Sequence, residues 1–124
     1  MIVYEAADLI WATRIKSTAD QLGIPCRPVR SVEMLEARLA DSDVQAMIID
    51  LDNPEVGLEL IRTVREREST TNGTRIRVLA FGPHVAKQLF QEARDAGADE
   101  VLPRGAFDRS LPDILLALGS QSSN

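Results

Sequence analysis

The sequence is poor in the residues that build disulfides, metal sites and membrane spans. Of its 124 residues, one is a cysteine, one is a histidine and 4% are aromatic. The single Cys26 cannot form an internal disulfide, and no CxxC or His/Cys cluster has the spacing of a metal site. The longest apolar runs are far shorter than the roughly 20 residues that span a bilayer. We therefore predict a buried thiol, no structural metal and no association with a membrane.

Targeting signals and domain linkers are also missing. The first residues, Met1 to Glu5, have neither a basic n-region nor a small-residue cleavage site, so we interpret them as structure and expect a cytoplasmic location. A chain of 124 residues suits one domain. We expect that domain to cover 1–119 and to be followed by a polar tail, 120–124.

Basic charge is scarce and scattered. The chain has 14 Lys and Arg against 19 Asp and Glu, a formal net charge of -5. Nucleic-acid phosphates are bound by clustered Lys and Arg. The only arginine-rich stretch, 62–68, alternates with glutamates and is typical of a solvated helix face. We therefore expect no nucleic-acid partner.

Short apolar runs alternate with segments of helical period. This pattern predicts an α/β fold, a flavodoxin-like doubly wound (βα)5 with a parallel five-stranded sheet. The predicted helices include Leu9 and Val85 on their apolar faces, and Gly23 ends the first of them. The expected strands are 2–4, 24–29, 46–49, 76–81 and 101–102. The expected helices are 7–22, 32–39 with Ser31 as its cap, a third from about 56, a fourth from about 85 and a last from 107 to 118.

Two prolines indicate that the second strand lies at an edge of the sheet. Pro25 and Pro28 cannot donate to a sheet ladder, so the second strand should lie at an edge, which agrees with the order 2-1-3-4-5. In such a sheet the functional crevice lies beyond the carboxyl ends of strands one and three.

The residues delivered to that crevice are polar. Glu5 and Asp50 follow strands one and three, and Gly82 and Arg104 follow strands four and five. No Gly-rich phosphate loop or Ser/His/Asp arrangement accompanies them, so we do not expect an enzyme.

These features together resemble the receiver domain of two-component response regulators. The resemblance runs from Ile2 to about Leu118 and is strongest at 46–54, 57–60 and 96–102. It implies a fold and a phosphorylation site, and it also implies an output face made of helix four, strand five and helix five.

The resemblance assigns a role to several side chains. It implies that Asp50 is the phosphoacceptor, that Glu5, Asp50 and Asp52 would be the Mg²⁺ ligands, and that Val101 lies within the output face, at the position where the family has an aromatic switch.

The chain departs from the family at five positions. Ala6 stands where a second acidic residue binds Mg²⁺, Gly82 replaces the Ser or Thr that contacts the phosphoryl group, and Val101 replaces the aromatic ring. Arg104 replaces the lysine, and Gly105 replaces the proline after it. Phosphoryl transfer depends on a metal and on cations that neutralise charge, so these departures indicate a pseudo-receiver.

The sequence therefore favours a signalling module that acts by protein–protein interaction, without Mg²⁺ or another cofactor. We expect Asp50 to be held by Arg104 in a charge-assisted pair. The partner would be another protein or a second copy, bound by the output face, and Trp11 is a candidate anchor because it lies off the apolar stripe of helix one. Two alternatives are a working phosphoacceptor receiver at Asp50 and a domain that binds a small ligand in the Asp50/Arg104 crevice.

Overall fold

A computed structural model describes residues 1–69 and 75–119. Its centre is one five-stranded parallel sheet with the strand order 2-1-3-4-5, which confirms the predicted fold class and order. The predicted tail, 120–124, lies outside the described residues. The strands are β1 Ile2–Glu5, β2 Cys26–Pro28, β3 Ala46–Asp50, β4 Arg77–Gly82 and β5 Glu100–Pro103.

The described residues form six helices, none of them long and apolar enough to cross a membrane. The single last helix predicted over 107–118 is wrong, because two helices meet at Ser110. Pro112 has no N–H to donate to the carbonyl four residues earlier, so the ladder of the first helix cannot continue through it. The helices are α1 Leu9–Leu22, α2 Val32–Asp41, α3 Pro54–Ser69, α4 Lys87–Ala96, α5 Arg104–Arg109 and α6 Leu111–Gly119.

Local signals explain where several helices begin and end. The side chain of Ser31 accepts a hydrogen bond from the N–H of Met34 at 3.1 Å, and Asp8 caps α1 in a similar way through the N–H of Ile10 at 2.8 Å. Gly23 ends α1 in the left-handed conformation, with φ of 71°.

The core consists of two apolar clusters, one on each face of the sheet. Every residue of β3 is buried, as expected of a central parallel strand covered by helices on both sides. Met47 and Ile49 belong to one cluster, whereas Ala46 and Ile48 belong to the other. Cys26 is buried in the second cluster, which confirms the predicted buried thiol.

Two residues predicted to face the core are exposed instead. Leu9 is 78% exposed and Val85 is 74% exposed. Leu9 is the first residue of α1, and Val85 precedes α4, which begins only at Lys87. Both residues therefore lie where a helix begins, beyond the carboxyl edge of the sheet, and the helical period alone does not reveal this.

Trp11 is not a free anchor for a partner, as its position off the apolar stripe suggested. Its ring packs on Phe81 of β4 and Phe107 of α5, at centroid distances of 5.2 and 5.9 Å. Phe81 and Phe107 stack on each other at 4.0 Å. The aromatic cluster thus fastens α1 and α5 to the sheet and forms part of the core.

Candidate functional site

The sheet brings the predicted site residues to one edge. Glu5 ends β1, Asp50 ends β3 and Gly82 ends β4, while Arg104 begins α5 directly after β5. The register places Asp50 beside Phe81 of the neighbouring strand. Because all five strands are parallel, their carboxyl ends open on the same crevice.

Two carboxyl groups are buried in this crevice. Asp50 is fully buried, and its Oδ1 accepts a hydrogen bond from the N–H of Asp52 at 3.0 Å. Glu5 is only 4% exposed. Asp50 Oδ2 and Glu5 Oε1 have no hydrogen-bond partner among the described residues. Buried polar atoms are normally paired, so both oxygens require an explanation.

Burial controls the ionisation of both groups. It raises the pKa of Glu5 to about 7, with a further contribution from the charges of Asp50 and Asp52. Burial also raises the pKa of Asp50, although the hydrogen bond from the Asp52 N–H and the charge of Arg104 act in the opposite direction. Near neutral pH, Glu5 is therefore only partly ionised, and the crevice carries less negative charge than its number of carboxyl groups suggests.

Arg104 binds a different carboxylate from the one predicted. Its Nη2 donates a hydrogen bond to Asp52 Oδ1 at 2.9 Å, whereas Asp50 Oδ1 lies 3.9 Å away, too far for a hydrogen bond. The expected charge-assisted pair with Asp50 is therefore replaced by one with Asp52. Asp52 lies in the partly exposed β3–α3 loop, while the Asp50 carboxylate is buried and already accepts a backbone hydrogen bond.

The donor set does not fit a Mg²⁺ site of the receiver type. Mg²⁺ prefers octahedral oxygen coordination with one or two carboxylates. No group of three or more His, Cys, Asp and Glu residues in the described ranges could hold a metal ion. Of the three predicted ligands, Asp52 is bound by Arg104. The guanidinium of Arg104 is also 3.9 Å from the carboxylate of Asp50. A cation placed between Glu5 and Asp50 would be repelled by the charge of Arg104, and the side chain of Ala6 supplies no carboxylate.

The core occupies the space where a side chain at position 82 would lie. A Cβ added to Gly82 would lie 3.3 Å from both Leu51 Cβ and Phe90 Cε1. This separation is tighter than ordinary van der Waals contact, so Leu51 or Phe90 would have to shift by a few tenths of an ångström to admit a serine or threonine. Gly82 therefore lacks the hydroxyl, and Leu51 and Phe90 pack closely beside the position that a side chain would take.

The side chain of Val101, predicted on the output face, is buried. Val101 is 7% exposed and belongs to the same apolar cluster as Phe90 and Ala93 of α4. It pairs with Ala80 in the β4–β5 ladder. The side chain of Val101 therefore lies beneath the predicted output face and packs against α4.

A pocket of about 280 Å³ opens beside Glu5. Neither Asp50 nor Arg104 lines this pocket, so it is distinct from the ligand crevice predicted between those two residues. Arg30 and Asn53 also line the pocket, and the sequence analysis named neither. The signal for Arg30 was its position just after β2, whose carboxyl end opens on the same edge of the sheet.

Comparison with known proteins shows the fold of the chain. No protein-family model and no curated protein matches the chain. Among solved structures, the chain is similar to the receiver domain of Ssk1 from Saccharomyces cerevisiae, which was crystallised with the phosphotransfer protein Ypd1: TM-score 0.81, 12% identity, 99% of this chain and 90% of that one. The receiver domain of the Francisella response regulator 1452 has TM-score 0.74 and 16% identity, with 98% of each chain covered.

A third similar structure is the signal receiver domain of a response regulator from Bermanella marisrubri. It has TM-score 0.73 and 22% identity, with 94% of this chain and 95% of that one covered. The chain thus has the fold of response regulator receiver domains over nearly its whole length. This agrees with the resemblance drawn from the sequence.

Proposed function

We propose that the domain is a receiver-like signalling module that acts by binding another protein, without Mg²⁺-dependent phosphorylation of an aspartate. The hydrogen bond from Arg104 to Asp52 is the observation that carries this proposal. The hydrogen bond holds the Arg104 guanidinium against Asp52, one of the carboxylates that the resemblance to receivers implies as a metal ligand. The positive charge is built into the fold, so the crevice does not require a metal to offset its negative charge.

The parts that would transmit a phosphorylation signal support the same proposal. Gly82 has no hydroxyl, and the packing of Leu51 and Phe90 fills the adjacent space. Val101 is buried and has no ring that could change rotamer. Without the hydroxyl and the aromatic ring that the family uses to transmit phosphorylation, the domain would present one constant surface to its partner.

The partner surface that we propose consists of α4, β5, α5 and α6. Helices α5 and α6 together replace the single last helix that the sequence predicted for this face. The strand β5 is an edge of the sheet. Val85, which precedes α4, is 74% exposed, and Leu116 of α6 is 49% exposed. These two side chains are the exposed large apolar residues that the proposed surface offers to a protein partner or a second copy of the chain.

Light scattering after size-exclusion chromatography tests this surface. If the partner is a second copy, the double variant Val85→Lys/Leu116→Lys should be monomeric at concentrations where the wild type self-associates. The matched control is Leu9→Lys, because Leu9 is equally exposed but lies on α1, outside the proposed surface. A monomeric wild type would leave a different protein as partner. A dimer that persists in the double variant and dissociates in the control would contradict the proposed surface.

A second candidate function is a working phosphoacceptor at Asp50. Its unpaired Oδ2 at the crevice favours this alternative. So do Leu9 and Ile10, 78% and 70% exposed beside the crevice, since a phosphotransfer protein would need a docking surface there. Incubation with acetyl phosphate and Mg²⁺ separates the two functions. We expect no gain of a phosphoryl group by intact mass, whereas a gain that is lost in Asp50→Asn would establish the second function.

A further inference from the structure

The pocket beside Glu5 is lined by an acidic and a basic side chain that do not contact each other. Glu5 is 4% exposed, and its Oε1 has no hydrogen-bond partner among the described residues. Arg30 lines the same pocket and is exposed. Neither side chain forms a salt bridge with the other or with any residue in the described ranges. The pocket therefore has a buried acceptor and a free guanidinium with a gap between them.

Apart from the polar Asn53, the remaining walls are formed by apolar and small side chains. Leu9, Ala12 and Val56 supply apolar surface, and the short side chains of Ala6 and Ala7 leave the space open. The volume of about 280 Å³ is near the lower end of the roughly 300–1,000 Å³ that is usual for small-molecule sites. A ligand of this site would be a small molecule with a short apolar part, and a nucleotide would be too large.

The chemistry of the two charges defines the ligand class. The Glu5 carboxyl group lines the pocket, and its Oε1 is buried without a hydrogen-bond partner among the described residues. A ligand ammonium bound by the accessible part of this carboxyl group would supply a donor that the described residues do not provide. A guanidinium binds a carboxylate through two parallel hydrogen bonds. We infer that the pocket binds a small zwitterion of the aliphatic α-amino-acid class, with its ammonium on Glu5, its carboxylate on Arg30 and its side chain against Leu9 and Val56.

This inference does not rest on the proposed interaction role. The pocket residues lie on β1, α1, α3 and the adjoining loops, whereas the proposed partner surface lies on α4, β5, α5 and α6. Phosphorylation of Asp50 would overturn the proposed function and leave the ligand site unaffected. Failure to bind an amino acid would overturn the ligand site and leave the proposed function unaffected.

L-leucine added to ¹⁵N-labelled protein and followed by backbone amide NMR tests the site. We expect saturable shifts at the amides of residues 6–12 and 53–56 below about 10 mM ligand. Arg30→Ala should weaken binding about tenfold, as expected for the loss of a charged hydrogen-bond partner. Glu5→Gln should weaken it as well, and this variant keeps the size of the side chain. Arg27→Ala, which removes an exposed arginine of β2 outside the pocket, should bind like the wild type.

Two leucine analogues test the zwitterion directly. 4-Methylpentanoate lacks the ammonium and isoamylamine lacks the carboxylate, so each should bind at least about tenfold more weakly than L-leucine. The absence of saturable shifts with L-leucine at 10 mM would overturn the inference. It would also be overturned if isoamylamine bound as tightly as L-leucine, or if Arg27→Ala weakened binding as much as Arg30→Ala.

Discussion

Arg104 and Asp52 are joined by a 2.9 Å hydrogen bond that ties the start of α5 to the loop after β3. The same nitrogen lies 3.9 Å from Asp50 Oδ1. One guanidinium thus binds the exposed carboxylate of the crevice and partly opposes the rise that burial causes in the pKa of the buried Asp50. Arg104 thus places a positive charge close to both aspartates of the crevice.

Removal of the guanidinium should change the ionisation of Asp50. In Arg104→Ala the pKa of Asp50 should rise further, because burial would no longer be opposed by this charge. Loss of the partly exposed pair with Asp52 should lower the free energy of unfolding by at most about 1 kcal/mol. Titration of the Asp50 carboxyl carbon by ¹³C NMR measures the first effect, and urea unfolding measures the second. Arg27→Ala is the control, and an unchanged or lower Asp50 pKa in Arg104→Ala would contradict this role.

Restoring a hydroxyl at position 82 should weaken the fold. In Gly82→Ser the new Cβ would lie 3.3 Å from Leu51 and Phe90, and overpacking of this kind costs about 1–3 kcal/mol. Gly105→Ala is the matched control, because its new Cβ would approach only the flexible end of Arg109 at 3.4 Å. Since alanine also favours a helix, this control should unfold at an equal or higher urea concentration. Gly82→Ser with wild-type stability would show that the space at the end of β4 is open.

Glu5 should make the stability of the domain depend on pH. The folded state retains the Glu5 proton up to a pKa of about 7, whereas the unfolded chain releases it near 4.5. Between these values the folded state binds more protons, so the free energy of unfolding falls as the pH rises and then levels off. The decrease due to Glu5 is up to roughly 3 kcal/mol, and Asp50 acts in the same direction.

Urea unfolding between pH 5 and pH 8 measures this effect. Glu5→Gln should flatten the profile and should be more stable than the wild type above pH 7. The exposed Glu36 of α2 provides the control, since Glu36→Gln should keep the wild-type slope. A wild-type slope in Glu5→Gln would mean that Glu5 ionises normally in the folded protein.

Arg65 should be the most sensitive polar position at the opposite edge of the sheet. Its guanidinium donates to the carbonyl oxygens of Gly97 and Ile76 at 2.9 and 2.7 Å and to Asp99 at 2.8 Å, and the side chain is 16% exposed. Arg65→Ala should lower the free energy of unfolding by about 3 kcal/mol, because it leaves buried acceptors unpaired. Arg62→Ala, an exposed arginine on the same helix, should cost less than about 0.5 kcal/mol in the same urea experiment. Equal losses in the two variants would contradict the assignment of the Arg65 contacts as structural.

The sequence predicted the architecture because its signals are local and periodic. Continuous apolar character identified β3, the prolines placed β2 at the edge, and the strand ends located Glu5, Asp50 and Arg104. The partner of Arg104 could not be predicted in this way. The choice between Asp50 and Asp52 depends on the path of the β3–α3 loop and on which carboxylate is already buried, and neither is encoded in residue spacing.

Positions at the ends of helices were also beyond sequence reasoning. Leu9 and Val85 fit the helical spacing of apolar residues, but they lie at or before the first residue of their helices, where the side chains are still exposed. Trp11 departs from the apolar stripe, yet it is covered by two aromatic residues that are distant in sequence, Phe81 and Phe107. Pro112 is a local signal that the prediction of one continuous last helix did not take into account.

The most direct test of the pseudo-receiver is addition of Mg²⁺ and beryllofluoride, a mimic of an aspartyl phosphate, to ¹⁵N-labelled protein. Because Arg104 holds Asp52 and the described residues lack a third metal ligand, we predict no saturable amide shifts around Asp50 at millimolar Mg²⁺. Saturable shifts that begin at Asp50, extend to α4 and disappear in Asp50→Ala would contradict this prediction. They would show that the domain is a working receiver.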